Sequence, residues 1–468
     1  MEWKSSRYNH VIPTTDGAGV LYNGRTGAIL ELSRNVFTSL TRILPPADGF
    51  LPIEAQSHQL FPHLAGGGFL IEGTCDELAL LETQYELERK RSQFLITVLP
   101  TFACNLGCEY CFVGKKHGIM SAEVQAQLVA FVEEHLARNR CPSMSVDWFG
   151  GEPLLAKEVI RKLSGHFIKL CDEARIPYRA QVISNGTILT KEVVDLLESA
   201  RVDRLQITLD GPMDVHDLRR PYKSGRKSSF SEIIDGLPSA IKKFLIRLRI
   251  NVDGRNLHSV WELLELFVEK GWIGNETRFF PYLARVSPFT DACSGVSNIV
   301  CSMEEFYRVQ FRWMQKLEEL GIAVGAQGLY QFPEPKLYNC GAVGTNGFVF
   351  TPEGEIHKCG LTVDDSTEAV GNLRDQHVVS KTKLQKWDDY SPFRNPVCRS
   401  CEFLPTCLGG CPRNQMESRT VQLKENCTYH MKYENQIVLF HLGHRNGLDM
   451  VGDMEMQNHS VSPFRILQ

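Results

Sequence analysis

The sequence predicts an α/β fold with a parallel sheet that is curved or closed, a small α+β unit before it and a cysteine-rich segment after it. Two observations support the central part. Apolar runs of strand length alternate with amphipathic helical stretches from Phe94 to Leu283, giving about six β/α units. Chemically reactive residues also follow several of these runs directly. After Leu337 the periodicity fades and cysteines accumulate.

Composition indicates a globular protein with no nucleic-acid or membrane partner. The chain has 468 residues, enough for two or three domains, and 23% of them are charged, as in soluble proteins. A net charge of −4 gives no reason to expect nucleic acid or an acidic lipid surface. The first residues lack the apolar stretch of a secretory signal and no apolar run is long enough to cross a membrane, so we expect a cytoplasmic protein.

Residues 1–93 are predicted to form the N-terminal α+β unit. Asn23-Gly24 is a hairpin turn signal between short strands. The predicted strands are Val11–Pro13, Val20–Asn23 and Ala28–Leu32. Ser33 begins a helix that Pro45-Pro46 stops, and an amphipathic linker helix follows between Asp76 and Gln93.

Residues 94–330 are predicted to form the β/α core. Its strands are Phe94–Leu99, Met144–Phe149, Ala180–Ser184, Leu205–Leu209, Ile246–Val252 and Arg278–Leu283. Its helices include Ser121–Arg138, Glu192–Ala200, Phe230–Phe244 and Val260–Lys270. Because active groups of such folds lie on the loops after the strands, the residues that follow each strand are the candidate site.

The loop after the first core strand carries three cysteines in a C-x3-C-x2-C pattern, Cys104, Cys108 and Cys111. Iron prefers thiolate ligands, and three thiolates hold three irons of a four-iron cube, which leaves the fourth iron open to a ligand from outside the protein. A zinc half-site is the alternative, but no fourth Cys or His lies close in sequence.

Three further motifs follow later strands at the same end of the sheet: Gly150-Gly151-Glu152, Ser184-Asn185-Gly186 and Asp210-Gly211. Taken alone, the first is an ordinary strand-to-helix turn and the second a turn with a helix cap. Asp210-Gly211 is predicted to be a turn. Their common position next to the cysteine loop favours a shared site.

Residues 331–435 are predicted to need metal to fold, because their apolar periodicity is poor. The segment carries seven cysteines: Cys340, Cys359, Cys398, Cys401, Cys407, Cys411 and Cys427. A zinc ribbon at 398–411 is the alternative. The other five cysteines are predicted to be ordinary thiols. Residues 436–468 are predicted to be a C-terminal tail that is polar and frayed from about Gly443.

The cysteine triad, with Tyr110 before its last member and Gly-Gly-Glu-Pro after the next strand, resembles the radical SAM enzymes. The later cysteines resemble their C-terminal SPASM extension: Gly354-x4-Cys359, then C-x2-C-x5-C-x3-C from Cys398 to Cys411, then Cys427. The resemblance covers Phe94 to Cys427. It implies a partial (β/α)6 TIM-type barrel followed by an iron–sulfur domain.

The resemblance implies that the triad holds a [4Fe–4S] cluster whose open iron binds S-adenosylmethionine and cleaves it to a 5′-deoxyadenosyl radical. It assigns the cofactor contacts to Tyr110, Gly150, Gly151, Glu152, Ser184, Asn185 and Arg220, with Arg219 as an alternative to the last. The glycines would let the backbone approach the methionine moiety, and Glu152 would accept from its ammonium group. Ser184 and Asn185 would contact the ribose and carboxylate. Arg220 would lie near the carboxylate, and Tyr110 would pack on adenine or present backbone to it.

The resemblance also implies two auxiliary [4Fe–4S] clusters. Cys398, Cys401, Cys407 and Cys427 would ligate the outer one. Cys340, Cys359 and Cys411 would hold the inner one, with a second open iron. An electron donor such as ferredoxin or flavodoxin would be a partner.

Relatives with this extension mostly modify peptides or proteins, so a peptide or protein substrate is expected. Sulfatase maturases have an aspartate where this chain has Gly360, which counts against formylglycine formation. We therefore expect a thioether crosslink in a ribosomally made peptide. Formylglycine formation, epimerisation and carbon–carbon crosslinking are the alternatives, and a zinc scaffold is the non-enzyme alternative. Residues 1–93 would recognise the peptide or simply cap the barrel.

Overall fold

The computed structural model describes residues 1–113, 116–225, 227–274, 278–288, 290–325, 330–375, 379–417, 427 and 433–443. The chain forms two compact units. The first contains Met1–Arg89, Val324–Cys340 and the described part of Tyr390–Gln468; the second contains Lys90–Ala323 and Gly341–Asp389. The predicted domain limits at residues 93, 330 and 435 stay predictions.

The N-terminal part of the first unit is built on a three-stranded antiparallel sheet, in the order β2-β3-β4. The elements are β1 (Trp3–Ser5), β2 (Asn9–Pro13), β3 (Gly19–Asn23), β4 (Ile29–Leu32), α1 (Arg34–Ile43), α2 (Phe61–Gly66), β5 (Leu70–Glu72) and α3 (Glu77–Lys90). The three predicted strands and both predicted helices are confirmed. The short antiparallel pair of β1 and β5 was not predicted. A core that includes Leu21, Phe37 and Phe69 holds this part together.

The second unit is an α/β partial barrel, as predicted. Its six parallel strands are β6 (Phe94–Val98), β7 (Met144–Trp148), β8 (Tyr178–Ser184), β9 (Val202–Thr208), β10 (Leu245–Val252) and β11 (Phe279–Arg285). Its helices are α4 (Ala122–Arg138), α5 (Lys157–Ala174), α6 (Lys191–Ser199), α7 (Met213–Arg219), α8 (Ser229–Ile241), α9 (Val260–Glu269) and α10 (Met303–Glu319). Ser121 caps α4 by accepting from Val124 N. The strands run in sequence order, so all their carboxyl ends lie at one rim.

Three strands extend the same sheet beyond β6. They are β12 (Gly347–Phe350), β13 (Glu355–His357) and β14 (Gly371–Asn372), followed by α11 (Lys381–Asp388). β12 pairs parallel with β6, and β13 and β14 continue antiparallel. The sequence did not predict this extension, because these strands are only two to four residues long and too short to show a clear apolar periodicity.

The cysteine-rich part of the first unit consists of short helices. They are α12 (Pro396–Arg399), α13 (Leu404–Cys407) and α14 (Pro412–Met416), and residues 433–441 are also helical. The predicted frayed tail lies outside the described residues beyond 443. Among the described residues, no helix is both long and apolar enough to span a lipid bilayer.

Candidate functional site

The loop after β6 carries the cysteine triad, and backbone hydrogen bonds hold it in place. Thr101 Oγ1 accepts from Ala103 N at 2.9 Å, which fixes the start of the loop. Further along, Gly107 N donates to Pro221 O and Lys223 N to Asn105 O, at 2.8 and 2.9 Å. The segment that follows α7 therefore clamps the middle of the cysteine loop.

The three thiols differ in exposure. Cys104 and Cys108 are partly buried and Cys111 is exposed. Burial raises the pKa of the Cys108 thiol to about 11, and the charge of Arg220 opposes that rise. A thiol must lose its proton to bind metal, so metal binding here would release protons and Arg220 would favour the charged form.

In the described part of the chain, no three Cys, His, Asp or Glu side chains converge on a single metal ion. A four-iron cube is a different ligand, because each thiolate binds its own iron and the sulfur atoms stand farther apart. Among the described residues, no fourth Cys, His, Asp or Glu joins the three thiols of this loop in a metal-binding group. Three thiols on one loop fit a cube with one open iron better than a lone zinc ion.

Amide groups point at the first cysteine. Cys104 Sγ accepts from Leu106 N at 3.5 Å and from Asn185 Nδ2 at 3.8 Å. Asn185 Nδ2 also donates to Asn105 Oδ1 at 2.8 Å, and its Oδ1 accepts from Thr187 N at 3.0 Å. The loop after β8 is thus joined to the cysteine loop, and N–H···S contacts of this kind tune the potential of a cluster.

Glu152 is fully buried, and its carboxylate connects the neighbouring loops through hydrogen bonds. Its Oε1 accepts from Ser184 Oγ at 2.8 Å and Leu154 N at 3.0 Å, and its Oε2 accepts from Asn185 N at 2.7 Å. Burial raises the pKa of this carboxyl, while these donors and Arg220 oppose the rise. A carboxylate has about four acceptor sites, so one remains for a ligand donor such as an ammonium group.

Gly150 and Gly151 have a packing role that the sequence did not suggest. Gly150 has φ +126°, and a Cβ added there would lie 2.4 Å from Thr101 O. A Cβ on Gly151 would lie 2.3 Å from Ala103 O. Both glycines therefore let the loop after β7 lie directly on the backbone of the cysteine loop. The predicted contact with the methionine moiety of a cofactor stays a prediction.

Tyr110 and Arg220 lie together beside the triad. Arg220 Nη1 donates to the Tyr110 hydroxyl oxygen at 2.6 Å, and that hydroxyl donates to Asp210 Oδ2. The Asp210 carboxylate also accepts from Asn251 N at 3.0 Å. The charge of Arg220 acts on Cys108, and the guanidinium of Arg219 lies over the Tyr110 ring, 5.5 Å from its centre. Both arginines considered from the sequence therefore contact Tyr110, and the choice between them as a cofactor contact stays a prediction.

Asp210, Arg219, Asn251 and Asp253 form a buried network that the sequence did not reveal. Arg219 Nη1 contacts Asp253 Oδ2 at 2.6 Å and its Nε lies 3.6 Å from Asp210 Oδ2. Gly211 lies in a bend at φ +155° before α7, so the predicted turn at Asp210-Gly211 stays a prediction, and Asp210 itself is fully buried. Asp210 lies just after the end of β9, as the other rim motifs lie at the ends of their strands. This position in the sequence was the feature that could have indicated a role in the site.

In the first unit, the short helices bring together the cysteines of the predicted outer set. Burial raises the pKa of the Cys401 thiol to about 11, and the charges of Cys407, Cys398 and Cys427 raise it further. Gln415 Nε2 donates to Cys398 Sγ at 3.4 Å, another N–H···S contact. Four mutually interacting thiols are a donor set that fits a fully ligated cluster.

The predicted inner set is Cys340, Cys359 and Cys411. Cys359, in the second unit, precedes the single turn Gly360–Thr362 and accepts from Leu361 N at 3.4 Å. Cys340 and Cys411 belong to the first unit, where Cys411 is exposed and precedes α14. The sharing of one cluster by these three stays a prediction.

At the barrel rim, three cysteines lie beside glycine, carboxylate and amide groups, an arrangement of donors that fits an iron–sulfur cluster on an α/β fold. Residues 98–267 match the model of the Radical SAM superfamily, so the chain contains a radical SAM domain. This match covers the triad and the three rim motifs that follow it.

Two curated relatives illustrate the range of similar proteins. A serine-type anaerobic sulfatase-maturating enzyme of Bacteroides thetaiotaomicron is 32% identical over 157 residues, which are 30% of this chain and 35% of the relative. The radical SAM cyclopropyl synthase TigE of Paramaledivibacter caminithermalis is 22% identical over 240 residues, 45% of this chain and 49% of the relative. The chain thus spans less than half the length of each.

Solved structures support the fold. Native anSMEcpe with bound AdoMet has a TM-score of 0.55 and 20% identity, covering 76% of this chain and 100% of that one. SuiB of Streptococcus suis, bound to S-adenosylmethionine, has a TM-score of 0.50 and 15% identity, covering 89% and 97%. At these identities the likeness establishes the partial-barrel fold.

Proposed function

We propose that this protein is a radical SAM maturase that modifies a ribosomally made peptide or a protein subunit. The modification that we propose is a thioether crosslink. The observation that carries the proposal is the joining of the triad loop to Glu152 and Asn185 at the barrel rim. The match to a sulfatase-maturating enzyme supports a peptide or protein as the substrate class.

Cys104, Cys108 and Cys111 would hold the [4Fe–4S] cluster. Bound there and reduced, the cluster would supply the electron that cleaves S-adenosylmethionine to the radical that takes a hydrogen atom from the substrate. Glu152 would use its free acceptor site to orient the ammonium group of the methionine moiety. Asn185 would donate toward Cys104, and Arg220 would keep positive charge beside Cys108.

The cysteines after Leu337 would hold two auxiliary clusters and suit thioether formation. The substrate thiol would lose a proton, the substrate carbon would lose a hydrogen atom to the 5′-deoxyadenosyl radical, and a C–S bond would form. The one surplus electron would pass to the oxidised form of the redox partner. Cys398, Cys401, Cys407 and Cys427 would ligate the outer cluster. Their mutual proximity in the first unit supports this grouping.

Formylglycine formation is the second candidate, favoured by the 32% identity to a sulfatase-maturating enzyme. The residue after Cys359 speaks against it. Gly360 begins a short turn and supplies no carboxylate that could act as a base at that position.

Anaerobic purification tests the proposal. We expect a brown protein with about twelve irons per chain, as three four-iron clusters require, and reductive cleavage of S-adenosylmethionine. Cys108→Ser should lower the iron to about eight and abolish cleavage, whereas Cys401→Ser should retain cleavage. A colourless protein with stoichiometric zinc would refute the proposal.

The bond that is formed needs a separate test. Short cysteine-containing peptides encoded beside the gene are incubated with the reconstituted enzyme and analysed by mass spectrometry. A loss of two hydrogens that disappears when the peptide cysteines are changed to serine supports a thioether. A sulfatase peptide converted to formylglycine would favour the second candidate instead.

A further inference from the structure

The strands of the second unit have two chemically different faces. On the outer face, Trp148 of β7 stacks on Phe167 of α5, and Phe279 of β11 packs against Phe267 of α9. Alternation along each strand places the neighbouring residues on the opposite, inner face of the partial barrel. Most residues of that face are polar and partly exposed, and its apolar members include Leu95, Ile183 and Phe280.

Three arginines lie close together on the inner face. Arg204 is on β9, and Arg247 and Arg249 are two residues apart on β10. Arg204 pairs in register with Leu245, so it lies one inward-facing position deeper than Arg247. The charges of Arg204 and Arg249 both act on Arg247 and, together with burial, lower its pKa.

The three guanidinium groups have few partners among the described residues. Arg247 lies over the ring of Tyr282, 5.5 Å from its centre, and Arg249 Nε donates to Asn251 Oδ1 at 2.7 Å. The Nε atoms of Arg204 and Arg247 are buried without a hydrogen-bond partner in this part of the chain. Each such donor costs the fold free energy unless a ligand accepts from it.

Little negative charge balances this group. Along β6 to β11, the inner positions of the described strands supply one carboxylate, Asp147 of β7. Gln181 Nε2 already donates to Asp147 at 2.8 Å. Burial raises the pKa of Asp147 to about 6, against the lowering effect of Gln181 and Arg204, so at neutral pH this acid supplies at most one negative charge. Three arginines against one such acid leave an excess of positive charge.

Hydrogen bonds connect the arginines to the rim site. Asn251, which accepts from Arg249, donates in turn to the Tyr110 hydroxyl at 3.3 Å and to Asp210 at 3.2 Å. Along a strand, Arg247 lies roughly 7 Å deeper than Arg249. An extended peptide covers that depth in about two residues. A peptide group bound by Arg247 would therefore lie within a few residues of the peptide residue that is modified at the rim.

We propose that Arg204, Arg247 and Arg249 bind a carboxylate of the peptide substrate, close in sequence to the residue that is modified. Guanidinium groups pair with carboxylates through two parallel hydrogen bonds, which matches the unused donors. The carboxylate is either an Asp or Glu side chain or the C-terminus of the peptide. This inference rests on the proposed function, because it assumes a peptide substrate.

Binding is measured without turnover, on the reconstituted holoenzyme with S-adenosylmethionine present and no reductant. The probes are four pools of randomised nonapeptides with a central Asp or Asn, each with a C-terminal acid or amide. Bound peptides are separated by anaerobic ultrafiltration and counted by mass spectrometry. We expect enrichment of Asp over Asn, or of acid over amide, by about tenfold. The first result assigns the carboxylate to a side chain and the second to the C-terminus.

Arg247→Gln should remove this enrichment, and Arg247→Lys should restore part of it. The control is Arg161→Gln on α5, an exposed arginine paired with Glu158, which should leave the enrichment unchanged. Because Arg247 repels its neighbours, Arg247→Gln should melt at the wild-type temperature or above it. Equal binding of all four pools by the wild type would overturn the inference.

Two other results would also overturn it. If Arg247→Gln melts several degrees lower, the arginine has a structural role. If the variant loses affinity for S-adenosylmethionine instead of the peptide, the arginines serve the cofactor. The iron content and cofactor cleavage of the wild type test the proposed function separately, so the two failures can be told apart.

Discussion

Gly150→Ala tests how closely the rim depends on contact between the loops after β6 and β7. The added Cβ would lie 2.4 Å from Thr101 O, and Cβ atoms essentially never approach another atom within 3.0 Å. The cysteine loop or the glycine loop must therefore move by more than half an ångström. The backbone of Gly150 also has φ +126°, which L-residues with a side chain rarely adopt.

The expected loss of stability has two parts. The unfavourable φ costs about 1–3 kcal/mol, and forcing an extra carbon against backbone costs about 1–3 kcal/mol more. Together these lower the melting temperature by roughly 5–15 °C for a unit of this size. Because the displaced atoms belong to the triad loop, we also expect the variant to lose about four irons per chain.

Gly165→Ala is the matched control. This glycine lies inside α5, and an added Cβ would meet no atom within 4 Å. Alanine is the better helix former, so stability should rise by about 0.5–1 kcal/mol with the iron content unchanged. Gly151→Ala, which places a Cβ 2.3 Å from Ala103 O without positive φ, should lose iron with a smaller loss of stability.

Circular dichroism melts and colorimetric iron assays on anaerobically reconstituted protein provide both measurements. A Gly150→Ala protein that melts within 2 °C of the wild type and keeps all its iron would refute the packing explanation. A protein that is destabilised but keeps its iron would show that the glycine loop does not hold the triad.

Three further predictions concern the buried groups of the rim. Arg219→Gln, which leaves the Asp253 carboxylate buried without its 2.6 Å partner, should cost about 3–5 kcal/mol in urea unfolding, whereas Arg201→Gln, in an exposed pair, should cost under about 1 kcal/mol. Equal losses would contradict this ranking. Burial lowers the pKa of His216 to about 3, so the unfolded chain binds the extra proton below about pH 6.5 and stability should fall by about 2 kcal/mol from pH 7 to 5. His216→Gln should flatten that slope, measured by urea titration of the apoprotein at both pH values. Tyr110→Phe removes the hydroxyl that Arg220 donates to and should weaken S-adenosylmethionine binding by isothermal calorimetry about tenfold, and unchanged affinity would exclude this role.

The sequence was sufficient to predict the partial barrel, because the strands are apolar runs separated by amphipathic helices of ordinary length. Predicted and observed limits of the first two core strands differ by one residue, as Met144–Phe149 against Met144–Trp148 illustrates. The sheet extension was not predictable in this way. Gly347–Phe350 becomes a strand because β6 offers a free edge, a tertiary condition that local periodicity does not record.

The rim shows the same division between local and tertiary information. Cysteine spacing and loop position revealed the triad, because ligands on one loop are constrained by sequence distance. Asp210 was predicted only as part of a turn and Asn251 was not singled out at all, since their importance comes from loops that meet only after β9 and β10 are aligned. Likewise, the glycines suggested close approach, but only coordinates show that the approaching atoms are Thr101 O and Ala103 O.

Two kinds of buried polar groups lie in the second unit, and the difference between them separates scaffold from binding surface. Glu152 and Asp210 are fully buried, yet each accepts several hydrogen bonds from neighbouring loops, so their burial fixes the geometry of the rim. The Nε atoms of Arg204 and Arg247 are also buried, but they find no acceptor among the described residues, and the two guanidinium charges repel each other. Such a pair lowers the stability of the free protein, because each buried donor without an acceptor costs free energy. A ligand that supplies the missing acceptors would offset this cost, and a carboxylate does so with matching charge and geometry.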